Sequence, residues 1–332
     1  NKAFLLVLEE EADLVGLPQD VIASAATEAK RQGMEGKWVF TLDKPSWTPF
    51  LQFSERRDLR EKIYTAYFMR GDNNNENDNK ALFAELMQLR QQASRILGYN
   101  NYAEYFTAEQ MAQNPTNVYD FLYQVWEPAL ARAKRERDDM QAMIRREGKD
   151  YKLESWDWWY YAEKVRKDMY DLDEEEVKPY FTIDNVREGN FLLANKLWGL
   201  TFVHRPEIPV YHEEVEAYEV LDYDGSHLAI LYIDAHPRPG KRSGAWCGTY
   251  RSGSYENGEK VSPIVTIVMN FTRPTESKPA LLTYDELTTF LHEFGHALHG
   301  IMTDCTYESL SGTSVFRDFV ELPSQLLENW AS

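Results

Sequence analysis

With 332 residues, 43% of them hydrophobic, the chain is long enough to bury the core of one large domain or of two lobes. Its net charge of −18 argues against a surface that binds nucleic acid, and it has no apolar run of the roughly 18 residues that would span a membrane. The two cysteines, Cys247 and Cys305, cannot build a disulfide framework, so we expect free thiols and a cytoplasmic protein.

The first 200 residues are predicted to be mainly helical, because apolar residues recur there at spacings of three and four. These helical segments are 19–32, which follows Pro18, and 58–70, 80–98, 118–148 and 156–170. The segment KWVFTL, residues 37–42, is predicted to be a short strand, and residues 71–79 a polar loop. We therefore expect a helical lobe at residues 1–200.

The pattern changes in residues 201–332, where a small sheet is predicted. Residues 216–223 and 227–234 flank Asp224-Gly225, a dipeptide typical of tight hairpins. Residues 262–271 are predicted to form a third strand, and the segment 237–260, rich in Gly, Ser and Arg, a loop.

A short amphipathic helix follows, and it contains three of the seven histidines. Thr283 and Glu286 have the T-x-x-E spacing of a capping box, and Gly300 is predicted to cap the end of the helix. Apolar residues line one side: they are Leu287, Phe290, Leu291, Phe294 and Leu298. The histidines lie on the other side.

His292 and His296 are four residues apart, so one turn of helix places both imidazoles on the same face. Glu293 follows the first histidine directly and lies beside that face. This is the H-E-x-x-H pattern, in which two histidines bind one zinc ion and the glutamate contacts a water on the metal. His299 is too far from His292, roughly 10 Å along the axis, to share the ion.

A catalytic zinc site needs a third protein ligand and an open position. The downstream segment, predicted to be a second helix, offers Asp318, Glu321 and Glu328. We favour Glu321, because it lies 25 residues after His296, which leaves room for a loop and a returning helix. Pro323 must kink or restart that helix. Asp318 and Gln325 are candidates to contact a ligand histidine from the same face.

The segments TYDELTTFLHEFGHALHG and LSGTSVFRDFVELPSQLLENW resemble the thimet oligopeptidase family of zinc metallopeptidases, and most closely its bacterial peptidyl-dipeptidase branch. Further similar segments occur in the same order upstream: LRQQASRILGYNNYAEY, WDWWYYAEKVRK, VKPYF and SGAWCG. The resemblance implies a mainly α, multi-helical, two-lobed metallopeptidase with a small β-sheet beside the histidine helix. Residues 201–332 would then be the catalytic portion.

By this resemblance the ligands of one Zn²⁺ per chain are His292, His296 and Glu321, and Glu293 is the general base. The family also implies a monomer that admits short peptides through a narrow channel. From the net charge and the lack of an apolar span we expect no nucleic-acid or membrane partner. Its substrate-binding Tyr and His lie downstream of the third ligand. We therefore expect the chain to be a fragment of a longer protein, truncated in the C-terminal part of the catalytic portion.

The predicted activity is the hydrolysis of short oligopeptides with release of C-terminal dipeptides. The alternatives are an oligopeptidase of the same family that cuts internally, and an inactive fragment or helical binding module. Arg238, Lys241 and Arg242 are candidates to hold a substrate carboxylate. The strand at 262–271 is a candidate to pair with the substrate backbone.

Overall fold

The computed structural model describes residues 4–170, 174–274 and 279–331. The chain divides into two compact units, Asn1–Leu172 and Asp173–Ser332. The sequence prediction instead placed the boundary between residues 200 and 201, which assigns the helix at 183–198 to the first lobe. The predicted lobes, 1–200 and 201–332, stay a prediction.

The first unit is mainly helical, as predicted. Its elements are β1 (Leu6–Leu8), α1 (Gln19–Arg31), β2 (Trp38–Phe40), α2 (Lys44–Phe53), α3 (Arg57–Phe68), α4 (Lys80–Ile96), α5 (Tyr102–Thr107), α6 (Pro115–Arg146) and α7 (Trp158–Tyr170). Sequence patterns did not identify α2, because Pro49 lies inside it and removes a helical hydrogen bond. Burial of Trp47, Phe50 and Leu51 stabilises α2 despite that loss.

The second unit combines helices with a five-stranded sheet. Its elements are α8 (Glu174–Val177), α9 (Ile183–Trp198), β3 (Thr201–His204), β4 (Val215–Leu221), β5 (His227–Asp234), β6 (Trp246–Arg251), β7 (Ser254–Glu256), β8 (Glu259–Val261), β9 (Ile264–Val268), α10 (Tyr284–Ile301) and α11 (Leu322–Glu328). The sheet order is β3-β4-β5-β9-β6, and β7 pairs with β8. The predicted hairpin between β4 and β5 is confirmed, with Gly225 at a φ of 81° in its turn.

The prediction of a loop over 237–260 was wrong, since β6, β7 and β8 lie there. Glycine and serine favour turns, but β6 is stabilised by pairing along its length with β9, whose partner residues are 13 to 22 positions away and therefore outside any local pattern. That pairing makes β6 an edge strand of the sheet and β9 an interior one.

The apolar side of α10 packs on the sheet. Phe290, Phe294 and Ala297 are fully buried and share one core cluster with Leu231 and Ile267 of the sheet. This contact turns the opposite side of α10, with its histidines, away from the sheet core. The mainly α fold with a small sheet beside this helix is therefore confirmed. None of the helices in the described ranges is both long enough and apolar enough to cross a bilayer.

Candidate metal centre

The helix α10 begins at the predicted capping box. The Glu286 N–H donates to Thr283 Oγ1 at 3.1 Å, and the Thr283 N–H donates to Glu286 Oε2 at 2.9 Å. The predicted cap at Gly300 was wrong, because α10 continues through it to Ile301. Gly300 instead meets another part of the chain, since a Cβ there would lie 3.3 Å from Val265 Cγ2.

Three predicted ligand residues converge at one point. Glu321 Oε2 lies 3.1 Å from His292 Nε2 and 3.0 Å from His296 Nε2. The ligand atoms of all three residues lie within 4.8 Å of one another. Among the described residues, these three side chains form the one group of His, Cys, Asp or Glu that could hold a metal ion. His299 is not part of it.

The donor set and its spacing fit a zinc ion. Two imidazole nitrogens and a carboxylate are a usual ligand set of catalytic zinc, and they leave a fourth position open. With bonds of about 2.0–2.1 Å and tetrahedral angles, ligand atoms lie roughly 3.3 Å apart. The separations of 3.0 and 3.1 Å from Glu321 are close to that value.

Glu321 reaches the histidines because α11 approaches α10 very closely. Glu321 directly precedes α11, and Pro323 lies in its first turn, where it costs no hydrogen bond. At the crossing, Gly295 of α10 faces backbone: a Cβ there would lie 2.7 Å from Ser324 Cα and 2.8 Å from the Pro323 carbonyl oxygen. Only glycine at position 295 allows this approach.

Replacing Gly295 with Ala is expected to push α11 away from α10. The overpacking should lower the free energy of unfolding by about 1–3 kcal/mol, and zinc should bind more weakly because Glu321 moves with α11. Denaturant unfolding and zinc titration measure both effects. Gly189→Ala in α9 is the matched control, since a Cβ there meets nothing within 4 Å. Wild-type zinc affinity in Gly295→Ala would contradict this role.

Side chains around the ligands differ in part from those predicted. Sequence reasoning missed Ser324, whose hydroxyl donates to Glu321 Oε2 at 2.9 Å. Burial acts to raise the pKa of Glu321, but this hydrogen bond and the two histidines lower it overall. The contact to His292 Nδ1 comes from Glu328, at 2.6 Å, whereas Asp318 and Gln325 were the predicted candidates.

Glu293 is buried beside the ligands, with 5% of its surface exposed. Within the described residues its Oε2 has no hydrogen-bond partner. Burial raises the pKa of Glu293 to about 7; His292 acts to lower it, and the charge of Glu321 raises it further. Such a carboxyl is suited to take up and release a proton near neutral pH.

The burial of Glu293 predicts a pH-dependent stability. Its folded pKa of about 7 exceeds the ordinary 4.5, so its contribution to stability is complete below about pH 4.5 and is lost as the pH rises through about 7. In the zinc-free chain, Glu293→Gln should therefore gain about 1–3 kcal/mol over the wild type at pH 8 and little at pH 4.5. Denaturant unfolding at both pH values measures this difference. Glu308→Gln, which removes an exposed carboxylate, is the control.

The neighbouring cysteine does not supply a thiolate. Burial, followed by the nearby charge of Glu293, raises the pKa of Cys247 to about 12. Both Cys247 and Cys305 are free cysteines, in agreement with the sequence prediction.

Two of the residues predicted to bind a substrate carboxylate form ion pairs with a carboxylate of the chain itself. Arg238 donates to both oxygens of buried Asp234, at 2.7 and 2.8 Å, and Lys241 Nζ donates to Asp234 Oδ1 at 2.8 Å. The Lys241 side chain is only 3% exposed. Arg242 lies over the ring of Trp246 at 4.7 Å.

The strand predicted to pair with substrate backbone cannot do so. Within 262–271 the structure has β9, which is hydrogen-bonded to β5 on one side and to β6 on the other. The backbone groups of an interior strand are already paired. β6 is the neighbouring strand that pairs on one side only in the described residues.

Comparisons with known proteins relate nearly the whole chain to peptidases. The family model described as Peptidase family M3 matches residues 50–332. The chain is similar to a dipeptidyl carboxypeptidase of Escherichia coli, 39% identical over all of this chain and 49% of the relative. It is also similar to an oligopeptidase A of Salmonella typhimurium, 35% identical over 98% of this chain and 48% of the relative. The chain thus spans about half the length of these curated relatives.

Proposed function

Because the chain belongs to peptidase family M3, we propose that it forms the zinc-binding part of a metallopeptidase that hydrolyses short peptides. The observation that supports this most strongly is the convergence of His292, His296 and Glu321 beside buried Glu293. In this proposal the first three side chains hold one zinc ion per chain. A monomer that acts on short peptides in the cytoplasm is part of the same proposal.

Zinc, when bound, would polarise the scissile carbonyl and lower the pKa of a water to about 7. Glu293 accepts a proton from the attacking water and passes it to the leaving amine. Its burial supports this role, because it brings the pKa of the carboxyl to about 7, where the ionised form can accept a proton and the protonated form can release it.

The edge strand β6 is placed to orient the peptide. In the described ranges one side of β6 has no strand partner, and we propose that its backbone N–H and C=O groups pair with an extended peptide, as in strand addition. The same strand packs against α10, the helix that carries Glu293. A peptide paired with β6 would therefore lie beside the base.

The specific activity that we propose is the release of C-terminal dipeptides. The dipeptidyl carboxypeptidase relative is 39% identical and the oligopeptidase A relative 35% identical, so the similarity favours the first. The second candidate is an oligopeptidase that cuts internally. Arg242 is the predicted carboxylate-binding residue that is not bound to Asp234.

Peptides with blocked N-termini and either free or amidated C-termini distinguish the two candidates, using a form of the protein as long as these relatives. We expect C-terminal dipeptides to be released from the free acids and little cleavage of the amides. Equal cleavage of both forms would instead support the internal-cutting candidate. No cleavage of either, in a protein that contains no zinc, would support the non-catalytic binding module.

A further inference from the structure

His292 is contacted by a carboxylate at each of its two ring nitrogens. Nε2 lies 3.1 Å from Glu321 Oε2, on the side of the proposed metal site. Nδ1 lies 2.6 Å from Glu328 Oε1 on the other side. Glu321 directly precedes α11 and Glu328 is its last residue, seven positions later, so the two carboxylates lie about two turns apart on one face of this helix.

The helix α11 is held firmly in this position. Leu327 belongs to the core cluster of the second unit, and the Ser324 side chain is completely buried. At the far end the Tyr284 hydroxyl donates to the carbonyl of Ala331 at 3.3 Å. Glu328 therefore meets the imidazole from a rigid element rather than from a mobile loop.

The other histidine has no equivalent contact. Nδ1 of His296 is buried and has no hydrogen-bond partner among the residues that the structure describes. The two proposed ligands thus differ: the ring of His292 is fixed by a side chain of α11, and the ring of His296 is fixed by its packing in the helix. The contact with Glu328 is specific to one ligand.

We propose that Glu328 is a positioning residue for the metal site. Its carboxylate accepts the Nδ1–H of His292, which selects the tautomer whose Nε2 lone pair faces the ion and fixes the orientation of the ring. The negative charge also makes Nε2 a stronger donor. This inference rests on the proposed zinc site and adds a residue outside the ligand set and the base.

The test is the affinity of purified chains for Zn²⁺, measured by competition with a chromophoric chelator. The variants are Glu328→Ala, Glu328→Met, which fills the same space without an acceptor, and Glu328→Gln, which keeps an acceptor oxygen without the charge. We expect Ala and Met to weaken zinc binding by about 10- to 100-fold, and Gln by less. Glu308→Gln, which removes an exposed charge elsewhere in the unit, should bind zinc as the wild type does.

Two further readouts separate positioning from general stability. The zinc-free variants should unfold at the temperature of the wild type, and the visible spectrum of the Co²⁺-substituted chain should change in Ala and Met. If Glu328→Ala does not fold, Glu328→Met decides. Wild-type zinc affinity and an unchanged Co²⁺ spectrum in a folded Met variant would overturn the inference.

Failure of the zinc site itself has a different signature. His296→Ala serves as the reference variant that lacks a ligand. If the wild type binds zinc no more tightly than this variant, both the site and the role of Glu328 are overturned. If the wild type binds zinc tightly and the Glu328 variants bind it just as tightly, the site stands. The positioning role of Glu328 alone is then overturned.

Discussion

Replacing Glu293 with Gln is expected to lower peptide hydrolysis by about 10²- to 10⁴-fold while zinc remains bound. Gln has nearly the shape of Glu but cannot take a proton from the attacking water. Since Glu293 is not one of the three side chains that converge as ligands, its loss should leave the metal content unchanged. The measurement pairs the rate of peptide cleavage with zinc per chain, in a form of the protein that hydrolyses peptides.

Glu308→Gln is the matched control for this experiment, because it removes the same charge from an exposed site in the same unit. It should retain the wild-type rate. Substantial activity in Glu293→Gln would show that another group acts as the base. Loss of both zinc and activity would show that Glu293 binds or supports the metal instead.

Replacing Glu321 with Ala is expected to weaken zinc binding by about a hundredfold or more, corresponding to roughly 3 kcal/mol per ligand. The carboxylate supplies one of three ligand atoms and is the only acidic member of the set. Its removal leaves two histidines of one helix, which cannot enclose an ion alone. Chelator competition measures the affinity, with Glu308→Ala as control. Retention of tight zinc binding would mean that another carboxylate, such as Glu328, is the third ligand.

The histidine helix shows what the sequence predicts well. Its capping box, its apolar stripe and the shared face of His292 and His296 all follow from spacings within about one to four residues, which a helix repeats regularly. The structure confirms each of these local features, together with the mainly helical fold. Helix–helix and strand–strand contacts at long range do not follow from such spacings.

The features that sequence reasoning missed depend on such long-range contacts. Gly300 is of the residue type that most often ends a helix, but in this chain it packs near Val265 and the helix continues through it. Arg238 and Lys241 follow Asp234 by only four and seven residues, but the burial of Asp234, which makes these ion pairs persistent, depends on the packing of the sheet. The contact of Glu328 with His292 depends equally on the crossing of α10 and α11 at Gly295.

The same reasoning explains why the strand at 262–271 was wrongly predicted to pair with the substrate backbone. Residues 262–271 have the β-branched composition of a strand, and β9 does form there. Whether a strand is interior or at an edge depends on which strands pair with it. In this chain β9 is an interior strand because β6 pairs with it, and β6 lies in a segment whose composition is typical of a loop.

The most direct test of the zinc site is a crystal structure of the zinc-loaded chain, with anomalous scattering recorded above and below the zinc absorption edge. We expect one anomalous peak per chain, about 2.0–2.2 Å from His292 Nε2, His296 Nε2 and one carboxylate oxygen of Glu321. A peak bound to other residues, or no peak there in a chain that carries one zinc, would contradict the assignment of the site.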